Sequence, residues 1–160
     1  MVNLLKLYKQ CSRYPLGKHL VSLAFCLKAP YFLTIRPLIT LMDKGHVEME
    51  IKQRWAIQNH IKTVHAIAVC NLVEAAMGIC ATVTIPNHLR WIPKGMDIHY
   101  EKKSAGRLTG ICKVDPDTIF NLPSYPGNVD MPVQVVDDNG NVVTSATVRL
   151  WISENKKKSV

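Results

Sequence analysis

Residues 59–78, NHIKTVHAIAVCNLVEAAMG, decide the fold. With Thr63 as N-cap, they open a helix over 64–81 that has a hydroxyl at its start, no proline, and apolar residues on nearly every face. A helix that is apolar all round is a buried one. Glu74 is its one full charge; Asn71 stands one turn before it, and His65 and Cys70 complete the polar or titratable set. A glutamate is rarely left fully buried without partners. Glu74 is therefore read either as a structural carboxylate bonded to a neighbouring loop or as a tuned acid or base.

Working outward, Leu89–Tyr100 reads as a strand disturbed at Pro93 and Gly95, as at a bulge, and 108–114 reads as another. Residues 115–128, with Pro116, Pro123 and Pro126, read as a loop or irregular crossover. The last two strands are 131–136 and 142–152, with the hairpin turn Asp138-Asn139-Gly140-Asn141 between them. Upstream, 31–42 (broken by Pro37) and the alternating run 47–52 fit two antiparallel strands around Asp43-Lys44-Gly45. Before these come two helices, 2–11 and 15–28. Pro15 suits the first turn of the second, and Pro30 ends it. Its apolar stripe, Leu16, Leu20, Leu23, Ala24 and Leu27, is expected to pack inward, with Lys18 and His19 facing away. The two helices read as an extension laid on the body, with plain packing the first reading of their apolar face and covering a substrate tunnel the second. Helices, two strands, one long helix and four strands make an α+β domain with a helix on an antiparallel sheet.

A chain of 160 residues suits a single core, and 48% hydrophobic with 20% charged residues are ordinary globular values. The formal charge of +8 is the outlying quantity, and it favours an anionic partner. Nucleic acid is not expected, because no basic run is interleaved with aromatics, and Lys156, Lys157 and Lys158 sit together in a C-terminal tail. The five cysteines (Cys11, Cys26, Cys70, Cys80, Cys112) include no C-x-x-C pair and read as reduced thiols in a cytoplasmic setting. The apolar run 20–27 is too short to span a bilayer, so neither a signal peptide nor a membrane helix is expected; membrane association is not expected either, a membrane-surface protein using the basic charge and the 15–28 helix being the third and weakest reading.

The helix also limits how its polar groups can act together. His65 and Glu74 are nine residues apart, which at ~1.5 Å rise per residue is about 13 Å along the axis and about half a revolution around it. They cannot serve one substrate atom within one helix. A site using both would join Glu74 of one protomer to the His65 end of another, as a two-fold dimer does. Asn71 and Glu74, three apart, are expected to share a face; Gly78 continues the row and suggests close approach by another element. Unpaired N–H groups around His65, Ala66 and Ile67 would polarise a carbonyl and stabilise an oxyanion.

Asn59, then His65-Ala66 six positions on, then Glu74 nine further, resembles the Asn…His-Gly…Asp/Glu pattern of hotdog-fold thioesterases. The likeness covers roughly residues 31–153, leaving 1–30 as the helical extension and 154–160 as a basic tail, and its nearest form is the phenylacetate-pathway thioesterase-like group. The resemblance implies a long helix wrapped by a curved antiparallel sheet, a homodimer or dimer of dimers, and hydrolysis of acyl-coenzyme A or acyl-carrier-protein thioesters, with coenzyme A part of the substrate and no separate cofactor. By position it implies Glu74 as general base or nucleophile, the Ala66 N–H as oxyanion donor, Asn59 positioning the water or carbonyl, and His65 orienting the loop. Asn71, Gly78, Ile92, Arg90 and Lys94 are the residues expected along the substrate. Ala66 stands where the family usually has glycine, and Ile92 where some members have serine or threonine; these two departures support a non-catalytic acyl- or fatty-acid-binding module as the alternative.

Other chemistries are poorly served. His60, His65 and Glu74 lack metal-ligand spacing, so no metal is expected. Cys70 in a buried helix reads as inert packing. His88, Arg90, Lys94, Lys102, Lys103 and Arg107 read as a solvated face along two strands, or as a basic rim for the phosphates of coenzyme A. No P-loop or G-x-G-x-x-G is present.

Overall fold

The computed structural model describes residues 4–117 and 125–155. Helices α1 (Leu4–Cys11) and α2 (Gly17–Lys28) are followed by a short 3₁₀ turn, Pro30–Thr34, and then by β1 (Leu38–Asp43) and β2 (His46–Lys52). After a second 3₁₀ turn, Trp55–Ile57, come α3 (Ala66–Thr84), β3 (Leu89–Tyr100), β4 (Arg107–Lys113), β5 (Gly127–Val136) and β6 (Val142–Glu154). All pairings are antiparallel, and one curved sheet runs in the order β1-β2-β4-β5-β6-β3. This is the hotdog arrangement: α3 lies along the sheet and buries most of its surface against it.

Side chains alternate between the two faces of a strand. Val47, Met49 and Ile51 of β2, Leu108 and Cys112 of β4, and Val129, Met131, Val133 and Val135 of β5 are accordingly buried together. Against them α3 sets Val69, Leu72, Val73, Ala76, Met77 and Cys80, none more than 1% exposed. Fully burying an aliphatic side chain of this size stabilises by roughly 1.5–3 kcal/mol. Leu72 reaches the sheet only because β4 has Gly110 there: a Cβ at that position would lie 2.9 Å from Leu72 Cγ. By length and composition α3 could cross a membrane, but 67% of that window is buried inside the protein, as in a core helix.

The sequence places the strands and the β3 bulge well; the register shifts between Pro93 and Gly95. Three expectations need correction. The first concerns residues 31–34, which form the 3₁₀ turn begun by Pro30 rather than strand; β1 starts after Pro37. The second concerns the start of α3: it opens at Ala66, and its N-cap is His65, not Thr63. The third concerns α2, which is turned the other way round. Its packed side is Gly17, Val21, Ser22 and Cys26, while Leu16, Leu20, Leu23, Ala24 and Leu27 are exposed. Pro15 lies outside the helix, which is entered through Leu16 at φ +65°. A Cβ at Gly17 would fall 1.7 Å from the Cys11 carbonyl oxygen, so only glycine lets α2 fold back this closely on α1.

Polar side chains explain the reversal of α2, because they close the outer edge of β1. Ser22 Oγ accepts the Ile39 N–H at 2.8 Å and donates to the Lys18 carbonyl at 2.7 Å. Tyr8 Oη and Lys18 Nζ both donate to the Thr40 carbonyl, at 2.9 and 2.7 Å. Lys9 adds an ion pair to Asp43 at 3.1 Å. Each buried backbone group left unpaired would cost about 1–3 kcal/mol, and α1–α2 supply these partners.

Candidate active site

The turn before α3 is held from several directions. Asn59 Oδ1 accepts the N–H groups of Ile61 and Thr63 at 3.1 and 3.0 Å, and Asn59 Nδ2 donates to Thr63 Oγ1 at 2.8 Å. Lys62 takes φ +59° to close it. The His65 N–H donates to the Ile57 carbonyl at 2.8 Å, and the Val64 N–H to that of Ser104 at 2.7 Å. His65 then caps the helix through Nδ1, which accepts the Ile67 N–H at 3.1 Å, while Ala68 and Val69 donate back to the His65 carbonyl. These bonds occupy every N–H of the first turn except that of Ala66, which has no partner among the described residues. One donor is left at the positive end of the helix.

Tyr100 of β3, 34 residues away in sequence, fixes the same residue from the other side: its Oη donates to the Ala66 carbonyl at 3.2 Å. Burial and then the nearby Cys70 push the Tyr100 hydroxyl above its ordinary range, so it remains a donor. No local sequence signal pointed to Tyr100. Cys70 donates to Met96 Sδ at 3.5 Å, and its thiol is pushed up by burial and then by Glu74, consistent with packing rather than nucleophilic use.

Glu74 is not buried. The outward stripe of α3 runs Ile67, Cys70, Glu74, Gly78, Thr82, and Glu74 stands exposed at its middle. It lines a cavity of about 410 Å³ with Leu4, Phe25, Phe32, Met77 and Trp91, an apolar wall contributed by both N-terminal helices, α3 and β3. Lys28 and Gly78 are also on its lining. A Cβ at Gly78 would meet only Trp91, at 3.8 Å, so glycine there leaves cavity space rather than answering a forced contact.

Asn71 does not share the Glu74 cavity. It is 6% exposed, with Nδ2 donating to Thr34 Oγ1 at 3.1 Å and Oδ1 buried without a partner among the described residues. It borders a separate cavity of about 340 Å³ at the start of α3, shared with Tyr31, Gln58, His65 and Ile67. Ile92 is 55% exposed and lines neither cavity; its neighbours Trp91 and Pro93 face the larger one, a one-residue difference in strand register. Arg90 Nε donates to Ser153 Oγ at 2.9 Å, and Lys94 Nζ lies 5.5 Å from the centre of the Trp151 ring, so both are spread along β6. The expected rim across two strands is split. β3 is the sheet edge, whereas Arg107 opens β4 near the middle and pairs with Glu50 and Asp138 at 3.5 and 3.6 Å. No cluster of three metal-ligating side chains occurs among the described residues. Lys156, Lys157 and Lys158, and part of the 115–128 loop, lie outside them.

Residues 17–152 match the family described as Domain of unknown function (DUF4442). The chain belongs to that family. Among solved structures, this DUF4442 protein is similar to the structural-genomics protein APC5556, at 28% identity and TM-score 0.79 over 95% of this chain and 99% of the other. It is also similar to a Pseudomonas aeruginosa protein of unknown function described as a probable thioesterase, PA5026, at 17% identity and TM-score 0.75 over 81% and 91%. A third is a mutant form of the Staphylococcus aureus thioesterase SAV0944, at 13% identity and TM-score 0.66 over 78% and 98%. Comparison with curated proteins gives no match. The DUF4442 protein thus shares the hotdog fold of these structures.

Within one chain the pieces stay apart. Ala66 and Glu74 are eight residues apart on one rigid helix, about 12 Å along its axis, and the smaller cavity reaches the first while the larger reaches the second. What the arrangement offers is a free backbone donor at one end and a solvent-accessible carboxylate beside an apolar chamber at the other.

Proposed function

We propose that the protein hydrolyses an acyl thioester at sites each assembled from two protomers. The observation that carries this is the pairing of the unoccupied Ala66 N–H with an exposed Glu74 beside an apolar cavity, at a separation that two facing chains would close. Support for a facing chain comes from β3, a 12-residue strand at the sheet edge to which no further strand adds among the described residues.

In this reading the thioester carbonyl rests on the Ala66 N–H of one protomer. Glu74 of the other takes a proton from water as the oxygen attacks the carbonyl carbon. Negative charge collects on the carbonyl oxygen, where the N–H and the helix dipole meet it. Collapse of the tetrahedral intermediate expels the thiolate, which receives the proton from Glu74, leaving a carboxylic acid and a free thiol. Attack by the carboxylate itself would reach the same products through an anhydride. His65, by capping Ile67, leaves Ala66 as the donor, and Asn59 holds the turn that presents it.

The acyl group would occupy the 410 Å³ chamber, where Phe25, Phe32 and Trp91 replace water, with Gly78 giving it room. A coenzyme A carrier, with its phosphates, suits a chain of charge +8 and the Arg90 and Lys94 side of β3; chemistry of the phenylacetate-pathway kind and a cytoplasmic setting belong to the same proposal. Free-thiol release from short, medium and long acyl-CoAs tests it. The Glu74→Gln variant is expected to lose about 10²–10⁴-fold in kcat while keeping its melting temperature, because the side chain is exposed. Full turnover in that variant would sink the proposal.

A further inference from the structure

The outward side of α2 has no partner in the fold. At ~100° per residue, Leu20, Leu23 and Leu27 fall within about 60° of one another; with Leu16 at the N-cap, the four are between 48% and 70% exposed. Tyr14 and Tyr31, at the two ends of the helix, are 73% and 63% exposed. Isolated surface leucines need no explanation, but a continuous stripe flanked by tyrosines does. The inward side is already satisfied through Ser22 and Lys18, so the helix cannot roll to bury the stripe without breaking the β1 edge bonds.

The charge around the stripe indicates what covers it. Residues 1–42 contain Lys6, Lys9, Arg13, Lys18, Lys28 and Arg36 and no Asp or Glu, so this quarter of the chain holds +6 of the net +8. Lys9 is paired with Asp43 and Lys18 is tied to the Thr40 carbonyl, while Lys6, Arg13 and Lys28 are exposed around the helix pair. Two copies meeting through this face would bring two net-cationic surfaces together. An anionic surface meets no such penalty, and a leucine stripe bordered by cations and interfacial tyrosines is the pattern of a helix lying in a lipid headgroup layer.

We propose that α1 and α2 form a docking surface for anionic membranes, with the leucines of α2 inserted below the headgroups. This reverses the expectation from the sequence, which turned those leucines inward. It is independent of the hydrolase reading, because binding is measured without turnover.

Flotation of the full chain with vesicles tests it. Partition onto phosphatidylcholine vesicles containing about 30 mol % phosphatidylglycerol is expected to exceed that onto pure phosphatidylcholine by about tenfold or more at low salt, and to fall as salt rises. Leu20→Glu with Leu27→Glu is expected to lower partition by about tenfold or more with an unchanged melting temperature, since both side chains are solvated. Lys6→Gln with Arg13→Gln is expected to lose about fivefold per charge. The Glu74→Gln variant should float like the wild type, which separates a failure here from a failure of the hydrolase proposal. Three results would overturn the inference: no partition onto anionic vesicles, partition unaffected by the leucine substitutions, or a lipid-free assembly that those substitutions break into smaller species, which would make the stripe an interface between copies.

Discussion

The two edges of the sheet are treated differently. At β1 the outward backbone groups are taken: Ser22 accepts from Ile39, and Tyr8 and Lys18 donate to the Thr40 carbonyl. At β3 a strand twice as long, 12 residues against 6, ends the sheet with no strand beyond it among the described residues. Long open edges invite pairing, and proteins blunt the ones they do not use. The N-terminal helices blunt one edge here, and the other is the edge at which the proposed dimer would form. The open edge also brings Trp91 and Pro93 to the cavity beside Glu74, and Tyr100 to Ala66, so the side free to assemble is the side that touches both halves of the proposed site.

The largest effect should come from breaking the open edge. Ile92→Lys places a charge on the exposed, apolar part of β3. Light scattering should then report a shift from dimer to monomer. Thiol release should fall by about a hundredfold or more at concentrations where the monomer dominates, because each Glu74 loses its facing donor. A monomeric variant with full activity would separate assembly from chemistry.

A smaller effect is expected at the closed edge. Ser22→Ala leaves the Ile39 N–H buried without a partner and should lower unfolding stability by about 1–3 kcal/mol in urea titrations. Turnover per folded molecule should be unchanged, since Ser22 lines neither cavity.

The smallest effect concerns Asp43, at the same edge. The Lys44 N–H, and then the Lys9 side chain, hold its carboxyl below the usual range. A carboxylate whose folded pKa is depressed stabilises the fold above its unfolded value, and that contribution disappears as pH falls through the folded value. Because Asp43 is solvated, the change should be slight. Melting temperatures followed from neutral pH to about pH 3 should fall less steeply in Asp43→Asn than in the wild type. Parallel curves would remove this contact from the account.

Element order, the spans of β2, β3, β4 and β6 and the bulge at Pro93 were readable from the sequence because period and turn residues are local signals. The orientation of α2 was not. Spacing shows that Leu16, Leu20, Leu23 and Leu27 share a stripe but not which side is solvated. That was decided by Ser22 and Lys18 bonding to a strand some 20 residues away. The exposure of Glu74 was hidden for a related reason: Ile67, Cys70 and Gly78 on the same stripe are not polar, so the helix read as apolar on every face. Ile92 lines neither cavity while Trp91 beside it lines the larger one, because one residue is the unit that switches strand faces. The free Ala66 N–H could be anticipated from the helix start, but that it alone remains depends on His65 capping through Nδ1.

The most direct test of the central claim, a site shared between protomers, is complementation between two inactive variants. Ala66 is the first residue of α3 and follows His65 at φ −63°, ψ 137°, so Ala66→Pro removes one N–H where proline is tolerated. That variant is expected to lose about 10²–10³-fold in kcat. Unfolding and refolding it together with Glu74→Gln should return about a quarter of wild-type thiol release, because half the dimers would be mixed and each mixed dimer would hold one intact site. A mixture no more active than its components would contradict the shared site.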